Sequence, residues 1–149
     1  TLAFGKGNTK GVDADLSDTI TEETLDEAVN FVKEFSKKIG SVIAITGAVD
    51  LVADKDRCFV IRNGIAEMSK ITGTGCQLSA LITAFIVANP DNILEATASA
   101  ICLMGLAGEL AFEKIVEGHG NSTYRNKIID TIYNATGDIL DLGAKYEIK

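Results

Sequence analysis

The chain has 149 residues, enough for one domain with a hydrophobic core or for a piece of a larger one. Its 46% hydrophobic and 23% charged content excludes a disordered chain, and a formal net charge of −7 without any lysine or arginine cluster argues against nucleic acid as a partner. The three cysteines, Cys58, Cys76 and Cys102, are too widely spaced for a disulfide framework or a zinc site, and a reducing cytoplasm is the natural compartment.

Residues 1–6 lack the long apolar run of a signal peptide. Residues 2–15 are rich in glycine and small polar side chains around Lys10-Gly11-Val12-Asp13, which reads as a strand end and loop. Thr21 is a good N-cap, with Glu22 and Glu23 in the first turn and Lys37 and Lys38 in the last. Leu25, Ala28, Val29, Val32 and Phe35 recur at helical spacing, and Gly40 closes that helix. Residues 41–46 form a nearly continuous apolar run, the pattern of a strand buried on both faces. Two further strands are expected at residues 51–53 and 57–61, around the polar turn Asp54-Lys55-Asp56, with Asn63-Gly64 as the next turn.

Three helices are predicted after that. The first covers residues 75–88 and stops at Asn89-Pro90. The second covers residues 92–117 and buries a stripe of Ile93, Ala96, Ala100, Leu103, Ala107 and Leu110. The third follows Gly118-His119-Gly120, with Asn121, Ser122 or Thr123 as cap, and carries Ile128, Ile129, Ile132 and Ile139. Ala98, Ala100, Gly105, Ala107 and Gly108 point to close helix packing. Interruption by Thr, Ser, Glu or Gly is expected to leave every apolar stretch short of a membrane span. The order of elements implies an α/β layered domain with fewer central strands than such a sheet normally has, so the chain reads like part of a domain.

The segment Ile71-Thr72-Gly73-Thr74-Gly75-Cys76 carries the chemistry. Its glycines let the backbone turn tightly and approach a ligand, and the first amides of the following helix point outward unpaired. Those amides and the helix dipole favour an anion, most often a phosphate. A cysteine there stands beside the phosphate seat as a proton acceptor. The segment lacks a Walker lysine and dinucleotide-fingerprint spacing, so the bland alternative is a strand-to-helix turn with a small buried cysteine.

Taken together, Lys10-Gly11-Val12-Asp13, Ala44-Ile45-Thr46-Gly47-Ala48-Val49-Asp50 and Ile71-Thr72-Gly73-Thr74-Gly75-Cys76, with the all-helical tail, resemble the hydroxyethylthiazole kinase family of the ribokinase-like superfamily. Cysteine in place of the superfamily's more common aspartate is the most specific mark. The resemblance implies a three-layer αβα ribokinase-like fold, of which residues 1–149 are the C-terminal portion of a single domain. It implies phosphoryl transfer from ATP to the hydroxyl of 4-methyl-5-(2-hydroxyethyl)thiazole, a step of thiamine salvage, with Mg2+ bridging the nucleotide phosphates. Cys76 would be the catalytic proton acceptor; Thr46, Gly73, Thr74 and Gly75 would bind nucleotide; Gly73 and Cys76 would line the substrate side. A homo-oligomer, a trimer, is implied, together with a missing N-terminal segment.

This sequence departs from the family in lacking the ATP-contacting arginine and nearby asparagine, which precede the position of Thr1. It also has His119 where relatives tend to have proline. Lys10 and Asp13 read equally as a solvated loop with a capping aspartate, and Asp50 as a turn former or a site-shaping residue. His119 reads as a surface loop residue, and Cys58, Cys102, Phe59 and Phe85 as core. Two alternatives stand beside the thiazole kinase: a non-catalytic nucleotide-binding or assembly module, and a ribokinase-fold kinase for another small alcohol.

Overall fold

The computed structural model describes residues 20–149, and the backbone alone of residues 9–10 and 13–14. Strands β1 (Thr9–Lys10) and β2 (Asp13–Ala14) pair antiparallel, where a strand end and loop are expected. The side chains of Lys10 and Asp13 lie outside the described residues.

Helix α1 spans Leu25–Ile39 and buries Leu25, Val29 and Val32, the stripe its periodicity predicts. Its N-cap is Thr24 and not Thr21. The two threonines bond to each other instead: Thr21 N–H donates to Thr24 Oγ1 (3.0 Å) and Thr24 N–H to the Thr21 carbonyl (3.1 Å), making a turn ahead of the helix. Gly40 ends α1 in the left-handed region (φ 70°), its N–H donating to the Ser36 carbonyl.

Strands β3 (Ile43–Ile45), β4 (Asp50–Ala53), β5 (Cys58–Ile61) and β6 (Tyr146–Ile148) form one sheet in that order, and every pairing is antiparallel. Short links explain the direction of β3–β4 and β4–β5. Residues 46–49 and 54–57 are tight connections, and a parallel pair needs a crossover of roughly a dozen residues or more. Burial on both faces belongs to β4 and β5. Leu51, Ala53, Cys58 and Val60 pack against α1, while Val52, Phe59 and Ile61 pack against α3 (Ile93–Phe112). Strand β3 is instead an edge, its Ala44 exposed and its two isoleucines half-buried.

The helical half begins with a short 3-10 turn, Ala66–Lys70, followed by α2 (Thr74–Ala88). Helix α3 is buried around most of its circumference, because the sheet, α2 and α4 (Asn121–Asn134) all pack on it. Ile93 of the predicted stripe is exposed, whereas Ile101, Cys102 and Met104 outside that stripe are buried. This helix is long and apolar enough to cross a membrane, contrary to expectation, but most of it is covered by protein. Its Gly105 and Gly108 face Asn63 and Met68, on the segment between β5 and α2, and the Gly108 carbonyl also accepts the Tyr124 hydroxyl of α4 (2.9 Å). Ala107 packs with Tyr124 and Ile128 of α4.

The predicted third helix is two helices. The chain turns extended at Ala135, and Thr136 then caps α5 (Gly137–Gly143), accepting the Ile139 N–H (3.4 Å). The tail is not all helical either, since β6 follows and pairs Glu147 with Val60. Ion pairs of Arg62 with Glu22 (2.8 Å) and Glu147 (2.9 Å) bracket that strand.

Candidate active site

Thr46 stands at the C-terminal end of β3, where Gly47 and Ala48 begin the turn to β4. The turn is tied by Asp50, whose Oδ1 accepts the Gly47 N–H (2.8 Å). Burial pushes the Asp50 carboxyl up to about 6, only partly offset by that hydrogen bond. A folded value above the ordinary 3.8 means the folded chain holds the proton more tightly. Stability contributed by this group is therefore lost as pH rises from about 4 to about 6, on the order of 2–3 kcal/mol. Asp50→Asn has no such titration. Relative to the wild type it is expected to gain stability between pH 4 and pH 7, measured by urea unfolding at both; an unchanged difference contradicts the burial of this carboxyl.

The second component is the start of α2. Gly73 is its N-cap with φ 89°, a conformation glycine adopts without strain, and its carbonyl accepts the Gln77 N–H (3.0 Å). No side chain caps this end, so the leading amides of Thr74, Gly75 and Cys76 are left to whatever approaches from outside.

Between the two lies a cleft of about 620 Å3. Thr46, Gly47, Ala48 and Asp50 form one wall, Thr74 and Gly75 another, and Leu78, Ile101 and Met104 an apolar floor. Of the expected site residues, Thr46, Thr74 and Gly75 meet here. Gly73 and Cys76 do not line the cleft; they are exposed beside it, on the same helix start. Asp50 is the one ionisable side chain among the described residues that line it.

All three cysteines are free, and only Cys76 is exposed. Burial raises Cys58 and Cys102 to about 11, so both stay protonated thiols, as expected for core. Phe59 is buried, whereas Phe85 is only half-buried. His119 is an exposed loop residue whose Nδ1 accepts the Val116 N–H (3.3 Å).

Asn63 and Glu109 are the residues that sequence reasoning missed. Asn63 is buried on the third wall of the cleft, donating to the Gly143 carbonyl (3.0 Å) and accepting the Lys145 N–H (2.8 Å). Glu109 accepts the Gly64 N–H (2.7 Å) and pairs with Lys145 Nζ (2.6 Å). The available signal was an acid well inside the apolar run of α3, away from the first turn where Glu95 sits. For a metal, the described residues bring together no three His, Cys, Asp or Glu side chains, so they form no protein cage for Mg2+.

The chain matches the family model of the hydroxyethylthiazole kinase family over residues 1–138. It is 56% identical over 146 residues to a protein of Clostridium acetobutylicum named hydroxyethylthiazole kinase, covering 98% of this chain and 54% of that relative. It is 42% identical over 135 residues to hydroxyethylthiazole kinase 2 of Clostridium botulinum, covering 91% of this chain and 49% of the relative. Among solved structures it resembles the hydroxyethylthiazole kinase protein from Pyrococcus horikoshii, with a TM-score of 0.75 and 31% identity, covering 86% of this chain and 48% of that one. The chain spans about half the length of the curated relatives it matches. The structural likeness gives the fold as ribokinase-like α/β, as expected. On the profile and on these identities together, the chain belongs to the hydroxyethylthiazole kinase family.

Proposed function

We propose that the chain is the C-terminal portion of a single kinase domain that transfers a phosphoryl group from ATP to the hydroxyl of 4-methyl-5-(2-hydroxyethyl)thiazole, in thiamine biosynthesis or salvage. The observation that carries this reading is an exposed cysteine on an uncapped, glycine-initiated helix, beside the cleft that holds Thr46.

On this reading Gly73, Thr74, Gly75 and Cys76 offer amides to the transferring phosphoryl group, where charge spreads over its oxygens. Cys76 Sγ accepts the alcohol proton as oxygen attacks phosphorus, and Gly73 lines the alcohol's side. Thr46 contacts the nucleotide. Mg2+ carried by the nucleotide would neutralise phosphate charge, and no described residue of the chain is assigned to hold it. The cytoplasm suits three free thiols.

The working protein on this proposal is a homo-oligomer, a trimer, completed by an N-terminal segment. Support comes from surface left uncovered among the described residues: β3 lies at the edge of its sheet and none of the fifteen residues of α2 is buried, although that helix is apolar.

The test is ATP-dependent formation of the thiazole phosphate ester, followed by mass, with the chain alone and with the N-terminal half of the Clostridium acetobutylicum relative supplied beside it. Ester formed in either mixture supports the kinase. Nucleotide binding without ester in both would leave the non-catalytic module, and ester formed only from a different alcohol would leave the other kinase. Within an active preparation, Thr46→Ala is expected to raise the KM for ATP more than it lowers kcat. A change confined to kcat would remove Thr46 from nucleotide binding.

A further inference from the structure

Asp50 is placed where a turn-forming aspartate has no need to be. It is half-buried, it lines the cleft, and it has no ion-pair partner among the described residues. An uncompensated carboxylate in such a position costs free energy that an exposed turn residue avoids. The same fold shows the cheaper arrangement at Asp54, whose Oδ1 accepts the N–H groups of Asp56 (2.8 Å) and Arg57 (2.6 Å) in a turn beside the Arg57 guanidinium. The Asp50 carboxylate accepts a single backbone N–H, and that is Gly47, the residue next to Thr46.

The surroundings keep the carboxylate where it is. Val49 is buried in the core formed with α1, and Leu51 is fully buried in the same cluster. Asp50 lies between these two anchors and pairs in register with Ile61 of β5. Thr46, by contrast, lies just beyond the end of edge strand β3, in an exposed stretch with Gly47 and Ala48. The Asp50 to Gly47 bond therefore joins a rigid strand to an exposed turn that contains a glycine and would otherwise sample many conformations.

We infer that Asp50 is a positioning residue: its carboxylate holds residues 46–48 in the shape that keeps Thr46 on the cleft wall before any ligand arrives. This deepens the proposed function and rests on it only for the identity of the ligand. A pre-shaped turn spares the ordering cost that nucleotide binding would otherwise carry. The role belongs to the reach of the carboxylate and not to its charge, because one Oδ1 at 2.8 Å from one N–H is the contact that defines the turn.

Two substitutions separate reach from charge. Asp50→Asn keeps an acceptor oxygen at the same distance and removes the charge; Asp50→Glu keeps the charge and moves the carboxylate about one methylene beyond Gly47. The readouts are hydrogen exchange at the Gly47 amide of the ligand-free chain and the Kd for ATP, with thermal unfolding recorded to show that each variant is folded. The expected order is wild type close to Asp50→Asn, within about threefold, and Asp50→Glu about 10-fold worse in both readouts, the scale of one lost hydrogen bond. A variant order with Glu retained and Asn impaired would assign Asp50 to the ligand or its cation by charge and overturn the inference. Equal values in all three, or equal losses in both variants, overturn it as well. ATP binding is measured on the chain alone and with the N-terminal half supplied; if the wild type binds no ATP in either, the kinase reading is what fails, and the Gly47 exchange order still decides the role of Asp50.

Discussion

Replacing Cys76 by alanine is expected to lower phosphoryl transfer by roughly 10²–10⁴-fold, the loss typical of a removed general base, while ATP binding survives. The reasoning begins with placement. Cys76 is the third residue of α2, in the turn whose amides have no intrahelical acceptors, and it is exposed. A phosphoryl group drawn to those amides would arrive beside Sγ, so the proton acceptor and the charge-stabilising donors act on one reacting centre. ATP affinity is not expected to follow the rate, because the amides of Thr74 and Gly75 belong to the backbone and Thr46 stands on another element. Cys102→Ala supplies the control. That thiol is buried against the sheet, so its removal costs stability and leaves turnover per folded molecule unchanged. Single-turnover rates on the completed kinase, with ATP Kd measured in parallel, check the pair. A Cys76→Ala rate equal to wild type would end its role as base.

How much of this was readable beforehand depends on how each element is packed. Helix α1 has one covered face, so Leu25, Val29 and Val32 betray it at once. Helix α3 is covered on several sides, and a stripe drawn from periodicity misplaces Ile93 because there is little polar face to set the phase. The run at residues 41–46 looks like a doubly buried strand, yet position in the sheet and not composition decides burial, and β3 lies at the edge. Strand direction was written in the loops, since residues 46–49 cannot carry a crossover. Strand β6 left almost no trace. Tyr146, Glu147 and Ile148 are all exposed, and the strand is held by backbone pairing to β5 and by the Arg62 to Glu147 ion pair.

The candidate site divides along the same line. Thr46, Thr74 and Gly75 are legible because glycine turns next to strand ends and helix starts have local signatures, and they do share a cleft. Asn63 and Glu109 escape such reading. They are 46 positions apart, and only the folded chain brings Gly64 N–H onto Glu109 Oε1. A lone Asn-Gly pair reads as a turn whether it is exposed or buried.

That hidden network sets the second large effect, Gly105→Ala, which is expected to destabilise the fold by at least ~3 kcal/mol. In an exposed helix the same change would help, by up to about 1 kcal/mol, because alanine is the better helix former. At Gly105 a Cβ would stand 2.6 Å from the Asn63 carbonyl carbon and 2.7 Å from its carbonyl oxygen and Cβ, well inside contact distance. The obstacle is backbone, and it cannot retreat easily: Asn63 is bonded to Gly143 and Lys145, and its neighbour Gly64 to Glu109. Moving Asn63 away from α3 would break buried hydrogen bonds that tie β6 and the cleft wall to the core, so the overpacking and polar costs add. The comparison is Gly108→Ala, where the new methyl meets the thioether end of Met68, a side chain flexible enough to swing aside. Its loss should stay below about 1.5 kcal/mol, and for a chain of this size the two variants should differ in Tm by several degrees or more. Thermal unfolding of both variants decides it. Equal midpoints would mean that the Asn63 segment yields as readily as a methionine tip, and that the wall it forms in the cleft is not rigid.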